Sequence, residues 1–287
     1  MALDWSLVIG HWSFQSDYFT PMFPYIHYDY FLFGPLTIHV WGLMVSLGII
    51  AGTLMARYLA KKYFYSADVI LDMVVWILIG ALVTARLFHV AFYEPLYYVQ
   101  NPWDMIKFWQ GGASSLGGFT GAGLALWLFA KTRRFGWKEI LPYFDFSAVG
   151  LWLGWGIGRI GCFLTHQHPG KLTNLFLGIN YPEGARFDLG IAESLVGFLL
   201  FVIFFLLFKR LVKIRWGLVA SLSIASYAFL RFFLDFLRAT PADIAGGDVR
   251  YLALTPAQWG MSVVLLGLTA TLVSGKIRRR FEKNLTE

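Results

Sequence analysis

The stretch that decides the fold runs from residue 189 to residue 208 and reads LGIAESLVGFLLFVIFFLLF. Glu193 is the only residue in this stretch that carries a charge. An apolar segment of about 20 residues is long enough to cross the hydrocarbon core of a bilayer as an α-helix. The stretch therefore predicts a transmembrane helix.

Six further apolar stretches resemble this one and are separated by more polar segments. Alternation of polar and apolar residues nowhere persists long enough to predict the strands of a membrane barrel. Because backbone groups inside a bilayer must find their hydrogen bonds within the protein, helices are the remaining choice. We predict an all-α polytopic membrane protein of about seven transmembrane helices, the other six at residues 39–60, 69–93, 115–131, 140–164, 217–236 and 257–275.

The composition also indicates a membrane protein. Of the 287 residues, 57% are hydrophobic and 14% are charged, and the mean hydropathy is +0.59. Soluble domains contain about 25% charged residues. We expect a single transmembrane domain over residues 1–287, comprising an extracytoplasmic interfacial arm at 1–38, a helical bundle at 39–275 and a basic cytoplasmic tail at 276–287.

The loops on the two sides of the predicted bundle differ in basic residues. One side carries 16 Lys and Arg residues, at 57–62, 131–138, 209–215 and 276–283, and the other side carries 5. Because cytoplasmic loops are enriched in Lys and Arg, we expect the C-terminus in the cytoplasm and the N-terminus outside. This distribution accounts for the net charge of +7, so nucleic acid is not an expected partner.

Three arginines, Arg86, Arg159 and Arg231, fall inside predicted spans. An arginine at the centre of a membrane helix costs roughly 2.5–3.5 kcal/mol on insertion scales, so each one is a functional candidate. The alternative is that each side chain extends to the membrane surface. All three, however, lie in the last third of spans that run outward, and scattered surface-seeking arginines would not share one depth.

Other polar residues belong to the same outer layer of the predicted bundle. Several cations at one depth favour an anion site, and the anion found at that depth is a phospholipid phosphate. The additional members of this layer are His39, His89, His166, His168, Glu193, Asp235 and Arg238.

Glycines mark two more segments. Gly150, Gly154 and Gly158 recur every four residues, a spacing that favours close helix packing and would place Arg159 inside the bundle. The segment 111–118 reads GGASSLGG, and it is either a backbone cradle for a headgroup or a flexible turn. The lone Cys162 lies among apolar residues, where a cysteine more often packs than reacts.

Residues 158–163 contain Gly158-Arg159-Ile160-Gly161 followed by Phe163. This motif resembles the signature of the bacterial prolipoprotein diacylglyceryl transferases, and it is the most specific of several matches to that family. The resemblance covers roughly residues 31–275 in order, with the same span count and orientation. Further matches are Phe33-Gly34-Pro35 with His39, Arg86 with Phe92-Tyr93, the glycine segment 111–118, Glu193, Tyr227, Arg231, Asp235, Arg238 and Gln258.

The resemblance implies a reaction and its partners. The family transfers the diacylglyceryl group of phosphatidylglycerol to the lipobox cysteine of a prolipoprotein and releases glycerol phosphate. The expected partners are therefore phosphatidylglycerol, a prolipoprotein signal peptide and the membrane, without a cofactor or a metal. We expect a monomer that crosses the bacterial inner membrane several times.

Three positions depart from the family pattern. The histidine of the glycine loop, regarded as catalytic in the family, is Leu116 here. The asparagine after the signature is Cys162, and the glutamate of the late helix is Asp235. Leu116 cannot accept a proton, so we expect His166 or His168 to replace the missing base. An unperturbed histidine has a pKa of about 6.5 and is suited to this role.

These considerations define the expected site. Arg159 and Arg231 would clamp the phosphate, and the catalytic set would be Arg159, Arg231, His166, His168 and Asp235. The expected substrate-binding residues are Arg86, Arg238, Glu193, Tyr227, Gly117, Gly118 and His39. Two alternatives stay open: a related transferase with a different acceptor, and a non-catalytic protein that binds or transports phospholipid.

Overall fold

The computed structural model describes residues 23–34, 36–107, 111–244 and 247–284. Most of the predicted arm at 1–38 and the end of the basic tail lie outside these residues. The helices are α1 (Val40–Lys62), α2 (Ala67–Phe92), α3 (Pro95–Gln100), α4 (Ser115–Thr132), α5 (Trp137–Leu164), α6 (Leu189–Ile214), α7 (Leu218–Leu234) and α8 (Pro256–Asn284). Short 3-10 helices at Pro102–Ile106 and Asp235–Leu237 complete the helical segments.

Five helices of the described chain are long and apolar enough to cross a bilayer. They are α1, α2, α5, α6 and the segment Leu218–Leu237, which joins α7 to its 3-10 extension. They coincide with five of the predicted spans. The other two predicted spans, 115–131 and 257–275, are helical as parts of α4 and α8. The chain is thus a mostly helical membrane protein.

Short strands lie outside the helical bundle of this all-α membrane fold. β1 (Tyr30–Phe33) and β2 (Leu36–His39) form an antiparallel hairpin directly before α1. Between α5 and α6, β3 (Pro169–Leu172), β4 (Ile179–Tyr181) and β5 (Gly184–Asp188) form an antiparallel sheet with β5 in the centre. Strands of three to five residues are too short to leave a periodic signal in the sequence.

Glycines bring the helices of the bundle together in pairs. A Cβ atom on Gly52 of α1 would lie 2.6 Å from the carbonyl oxygen of Gly150 on α5, and Gly48 faces Gly154 in the same way. These contacts confirm the predicted packing role of the glycine stripe. α2 and α4 form the second close pair, in which Gly117 lies against the backbone of Thr84.

One end of the bundle is an aromatic core. The rings of Phe146 on α5 and Phe208 on α6 stack with centroids 5.7 Å apart, and both side chains are buried. Trp216 lies 5.6 Å from Phe146, and Tyr63 lies 5.1 Å from Phe208. Aromatic pairs at such separations add to the stabilisation from burial. This end therefore holds α5 and α6 together through apolar contacts.

A single buried carboxylate joins this end to α7. Asp145 of α5 has no exposed surface and accepts hydrogen bonds from the backbone amides of Gly217 at 2.7 Å and Ala220 at 2.8 Å. The first amides of a helix have no partner within the helix itself. Asp145 therefore caps α7 from a neighbouring helix, and Gly217 allows the turn by adopting a φ of 85°.

Candidate active site

Glu193 joins three helices at the opposite end of the bundle. It belongs to α6 and has no exposed surface. Its Oε2 lies 2.8 Å from Nη2 of Arg159 on α5, and its Oε1 accepts a hydrogen bond of 2.5 Å from Nη1 of Arg231 on α7. The hydroxyl of Tyr227 donates to Oε2 at 3.2 Å. One carboxylate thus fixes the two arginines that the sequence placed at the same depth.

Asp235 is the second carboxylate of this cluster and is also fully buried. Its Oδ1 lies 3.0 Å from Nη2 of Arg231 and 3.5 Å from Nε of Arg238. The hydroxyl of Thr255 donates to Oδ2, and Gln258 accepts from the backbone amide of Thr255 at 2.9 Å. The predicted spacing of Arg231, Asp235 and Arg238 on one helical face therefore gives direct ion pairs.

His168 lies against the last arginine of the cluster. Its Nδ1 accepts a hydrogen bond of 2.9 Å from Nη2 of Arg238, whose Nη1 pairs with Asp248. Burial and the positive charges of Arg238, Arg159 and Arg231 lower the pKa of His168 to about 3. The imidazole is therefore neutral at physiological pH, with its acceptor nitrogen already occupied by Arg238.

His166 belongs to a separate cluster beside the sheet of β3, β4 and β5, here called the outer sheet because it lies outside the bundle. Its Nδ1 lies 2.8 Å from Oδ2 of Asp188 and 3.0 Å from the hydroxyl of Tyr181. Its Nε2 donates to the carbonyl oxygen of Ile26 at 2.9 Å, and the Tyr25 ring stacks on it with centroids 4.2 Å apart. Both ring nitrogens thus have partners that are not members of the arginine cluster. This geometry favours a structural role for His166 over the expected catalytic one.

Arg86 also has a different environment from the one expected. Its guanidinium donates to five backbone carbonyls, those of Asp104, Met105, Lys107, Gly111 and Gly112. A guanidinium has five N–H donors. Every donor is therefore occupied, and 3% of Arg86 is exposed. Arg86 fixes the loop that precedes α4, and this geometry favours a structural role over the expected substrate-binding one.

The glycine segment at the start of α4 serves local packing. Ser114 caps α4 by accepting from the amide of Gly117 at 3.3 Å. A Cβ atom on Gly117 would lie 2.6 Å from the carbonyl oxygen of Thr84, so Gly117 is required for helix contact. A Cβ atom on Gly118 would lie 3.8 Å from that of Ala85, an ordinary contact distance, and Leu116 is 66% exposed. Gly117 is therefore better explained by packing than by substrate binding.

His39 lies at the end of β2, directly before α1. Its side chain is exposed, and its ring meets the ring of Tyr30 edge-on with centroids 6.4 Å apart. The described contacts do not connect His39 with the arginine cluster.

Arg159 is the most accessible arginine of the cluster. Its side chain is 15% exposed, against 7% for Arg231. The guanidinium lies 4.5 Å from the centroid of the Trp155 ring, and Nη1 lies 3.7 Å from Sγ of Cys162. Within the described residues, its other N–H donors have no partner. An anion entering the cluster can therefore bind Arg159 without first displacing Glu193.

The sequence did not identify all members of this region. Asp248 pairs with Arg238 from a loop, where no periodicity or motif marks it. Thr255 donates to Asp235, and no motif in the sequence marks it as a partner of that carboxylate. Asp188 could have been found, because it directly precedes an apolar run and caps α6 by accepting from Ile191 at 3.1 Å.

The fold and the site define a class: a multi-span helical membrane protein with a buried cluster of arginines and carboxylates at one end of its bundle. The profile of the prolipoprotein diacylglyceryl transferase family matches residues 29–274. The chain belongs to this family.

The matches to individual relatives span most of this chain and most of each relative. A phosphatidylglycerol–prolipoprotein diacylglyceryl transferase from Cupriavidus metallidurans is 32% identical over 257 residues, which span 86% of this chain and 92% of the relative. The protein of that name from Gloeobacter violaceus is 34% identical over 71% of this chain and 81% of the relative. That of Pseudomonas aeruginosa is 31% identical over 74% and 80%, respectively.

Proposed function

We propose that this chain transfers the diacylglyceryl group of phosphatidylglycerol to the lipobox cysteine of a prolipoprotein. Family membership and the names of the relatives support this reaction. The observation that carries it in this chain is the pairing of Arg159 and Arg231 across Glu193 within the bundle. Two cations held at the depth of lipid headgroups are suited to a phosphodiester.

In the proposed reaction, the cysteine sulfur attacks the glyceryl carbon that carries the phosphate. The new carbon–sulfur bond replaces the carbon–oxygen bond, whose electrons remain on the departing glycerol phosphate. Negative charge therefore develops on the phosphate oxygen that faces Arg159. Prepositioned donors that bind a developing charge more strongly than the ground state accelerate such a step. Glu193 holds both arginines in place, so little reorganisation is needed.

The proton of the thiol needs an acceptor, and we propose His168 for this role. With a pKa of about 3 it is too weak a base while Arg238 donates to Nδ1, because a general base works best with a pKa near the operating pH. A phosphate that draws Nη2 of Arg238 away would free Nδ1 and place a negative charge nearby. Both changes raise the pKa of His168, so the base would become active when the lipid is bound.

We also propose the complete topology. α4 and α8 would cross the membrane together with the five long apolar helices, giving seven spans. The 16 basic residues on one side favour a cytoplasmic C-terminus and an N-terminus outside. The chain would act as a monomer in the bacterial inner membrane, with residues 1–38 as an interfacial arm and 276–287 as a cytoplasmic tail.

A second candidate is a phospholipid-binding protein without transferase activity. It is favoured by Leu116, which stands where the family resemblance implied the catalytic histidine and is 66% exposed. The arginine cluster alone fits both functions, because each requires binding of the phosphate.

Two measurements separate the candidates. Purified protein is mixed with phosphatidylglycerol labelled in its acyl chains and a lipobox peptide, and labelled peptide is quantified. In parallel, the gene is expressed in bacteria depleted of their own diacylglyceryl transferase. We expect labelled peptide and restored growth. Binding of labelled lipid without transfer to the cysteine peptide, combined with failed complementation, would establish the binding protein instead.

A further inference from the structure

A cleft between α4 and α5 lies at the basic end of the bundle, away from the arginine cluster. It encloses a cavity of about 390 Å³. From Gly123 to Lys131, both of which line it, α4 rises about 12 Å. The other principal lining residues are apolar: Leu126 and Trp127 on α4, and Trp137, Ile140 and Phe144 on α5.

One cation, Lys131, lines this cleft, and two more lie close to its lining residues along the chain. Nζ of Lys131 lies 5.0 Å from the centroid of the Trp127 ring, and the side chains of Arg134 and Lys138 are exposed nearby along the chain. None of these three cations pairs with a carboxylate in the part of the chain that the structure describes.

The neighbouring charged residues are already engaged. Arg133 pairs with Asp72, while the carboxylate of Glu139 accepts from the backbone amide of Gly136 at 2.7 Å. Lys131 at the cleft, and Arg134 and Lys138 close to it along the chain, therefore keep positive charges that these neighbours do not neutralise.

We propose that this cleft binds an anionic phospholipid of the leaflet at the basic end. One acyl chain would lie along the apolar lining, and the phosphate would contact Lys131, Arg134 and Lys138. Basic pockets between transmembrane helices at this membrane surface are suited to anionic headgroups. A zwitterionic lipid would leave the charges of these three residues unbalanced.

This site is separate from the proposed transferase site. Phe144 is the lining residue of α5 nearest in sequence to Arg159, and the helix rises about 22 Å between them. A lipid in the cleft therefore does not contact the arginine cluster. It would bridge α4 and α5, and these helices belong to the two different glycine-packed pairs of the bundle.

Gly123 provides a way to fill the cleft. Gly123 lines the cleft, and a Cβ atom there would meet no atom within 4 Å, so Gly123→Phe adds bulk to the lining without a clash at Cβ. Gly260 on α8 has the same open surroundings, which makes Gly260→Phe the matched control. Exposed basic residues at the end of α6 allow a matched control for charge removal: Lys209, Arg210 and Lys213.

The test uses a phosphatidylserine with a photoactivatable acyl chain, since phosphatidylglycerol is the proposed substrate. The protein is irradiated in lipid nanodiscs, and the attached lipid is located by peptide mass spectrometry. We expect labelling within residues 123–144, which excess phosphatidylserine suppresses and excess phosphatidylcholine does not. Gly123→Phe should lower this labelling at least tenfold, while Gly260→Phe leaves it unchanged.

Charge removal tests the headgroup contact independently of the cleft volume. Combined Lys131→Gln, Arg134→Gln and Lys138→Gln should lower the labelling roughly tenfold or more, whereas the same three changes at Lys209, Arg210 and Lys213 should not. Equal suppression by phosphatidylcholine and phosphatidylserine would overturn the anionic ligand. Unchanged labelling in Gly123→Phe would overturn the cleft as the site.

Discussion

The two ends of the bundle are built from the same helices but by opposite means. At one end, α5 and α6 contribute Phe146 and Phe208 to an aromatic core. At the other end, the same two helices contribute Arg159 and Glu193 to an ion-paired cluster. Buried ion pairs often give little net stability because desolvation opposes their attraction, whereas buried aromatic rings stabilise reliably. We therefore expect the aromatic end to contribute mainly to the stability of the bundle, and the ion-paired end mainly to catalysis.

The largest expected effect is loss of activity at the charged end. Arg159→Ala and Arg231→Ala should each bring diacylglyceryl transfer below detection, because each removes a cation from the proposed phosphate site. Lys should restore little activity at either position, since its ammonium cannot provide the bidentate donors of arginine. The rate of transfer from phosphatidylglycerol to a lipobox peptide measures this. Full activity in either alanine variant would exclude that arginine from the site.

The next effect distinguishes the two histidines. His168→Gln should lower turnover by roughly 10²–10⁴-fold, which is the usual contribution of a general base. Lipid binding should persist, because Arg159 remains. His166→Gln should instead lower thermal stability, since it breaks the contacts with Asp188 and Ile26. Turnover and melting temperature of both variants are compared. Wild-type turnover in His168→Gln would remove this residue as the base.

Truncation in the aromatic core should lower stability and leave the specific activity nearly unchanged. Phe146→Ala removes a ring with no exposed surface and should lower the free energy of unfolding by about 3–5 kcal/mol. The specific activity of the protein that remains folded should stay close to that of the wild type. Denaturant titration in detergent, together with an assay well below the melting temperature, separates the two quantities. A matching loss of specific activity would show that the two ends are not independent.

Arg86 should behave as a structural residue although it is an arginine at the depth of the site. Arg86→Gln leaves several carbonyls at 104–107 and 111–112 without their donor, so this segment should become accessible to proteases. Turnover should fall less than in Arg159→Ala, by about tenfold or less, because no phosphate contact is lost. Limited proteolysis and the transfer assay are run on the same sample. Complete inactivity with an intact loop would restore Arg86 as a substrate ligand.

The smallest effect is the pH dependence that His168 gives to stability. Its pKa is about 3 in the folded protein, below the usual value of 6.5, so the unfolded chain binds an additional proton between these values. Stability should therefore decrease as the pH falls from about 6.5 towards 3. Melting temperatures between pH 7 and pH 4.5 should drop less steeply in His168→Gln than in the wild type. Identical slopes would contradict the lowered pKa.

The sequence predicted the features that depend on position along a helix. Apolar stretches gave the helices, and the shared depth of Arg159, Arg231 and Glu193 anticipated a cluster that the structure brings within hydrogen-bonding distance. Residue spacing likewise predicted the Arg231–Asp235 pair, since positions i and i+4 share a face.

Features that depend on loop conformation could not be predicted in this way. The carbonyl partners of Arg86 lie 18 to 26 residues further along the chain, and their direction follows from backbone angles that no pattern encodes. His166 was expected near Arg159 because it is close in sequence, but its positive φ of 46° belongs to a turn that leads into the outer sheet. Asp248 likewise lies in a loop, so its contact with Arg238 depends on backbone angles that no sequence pattern encodes.

The cap that Asp145 provides for α7 has a consequence for biogenesis. The chain is synthesised from its N-terminus, and Gly217 follows Asp145 by 72 positions, so α5 enters the membrane before α7 has been made. Until α7 arrives, a carboxylate destined for complete burial lacks both amide partners. Docking of α7 satisfies them in a single step. Completion of the bundle thus waits for α7, and premature release of the unfinished chain would leave an exposed acidic group as a mark of incomplete assembly.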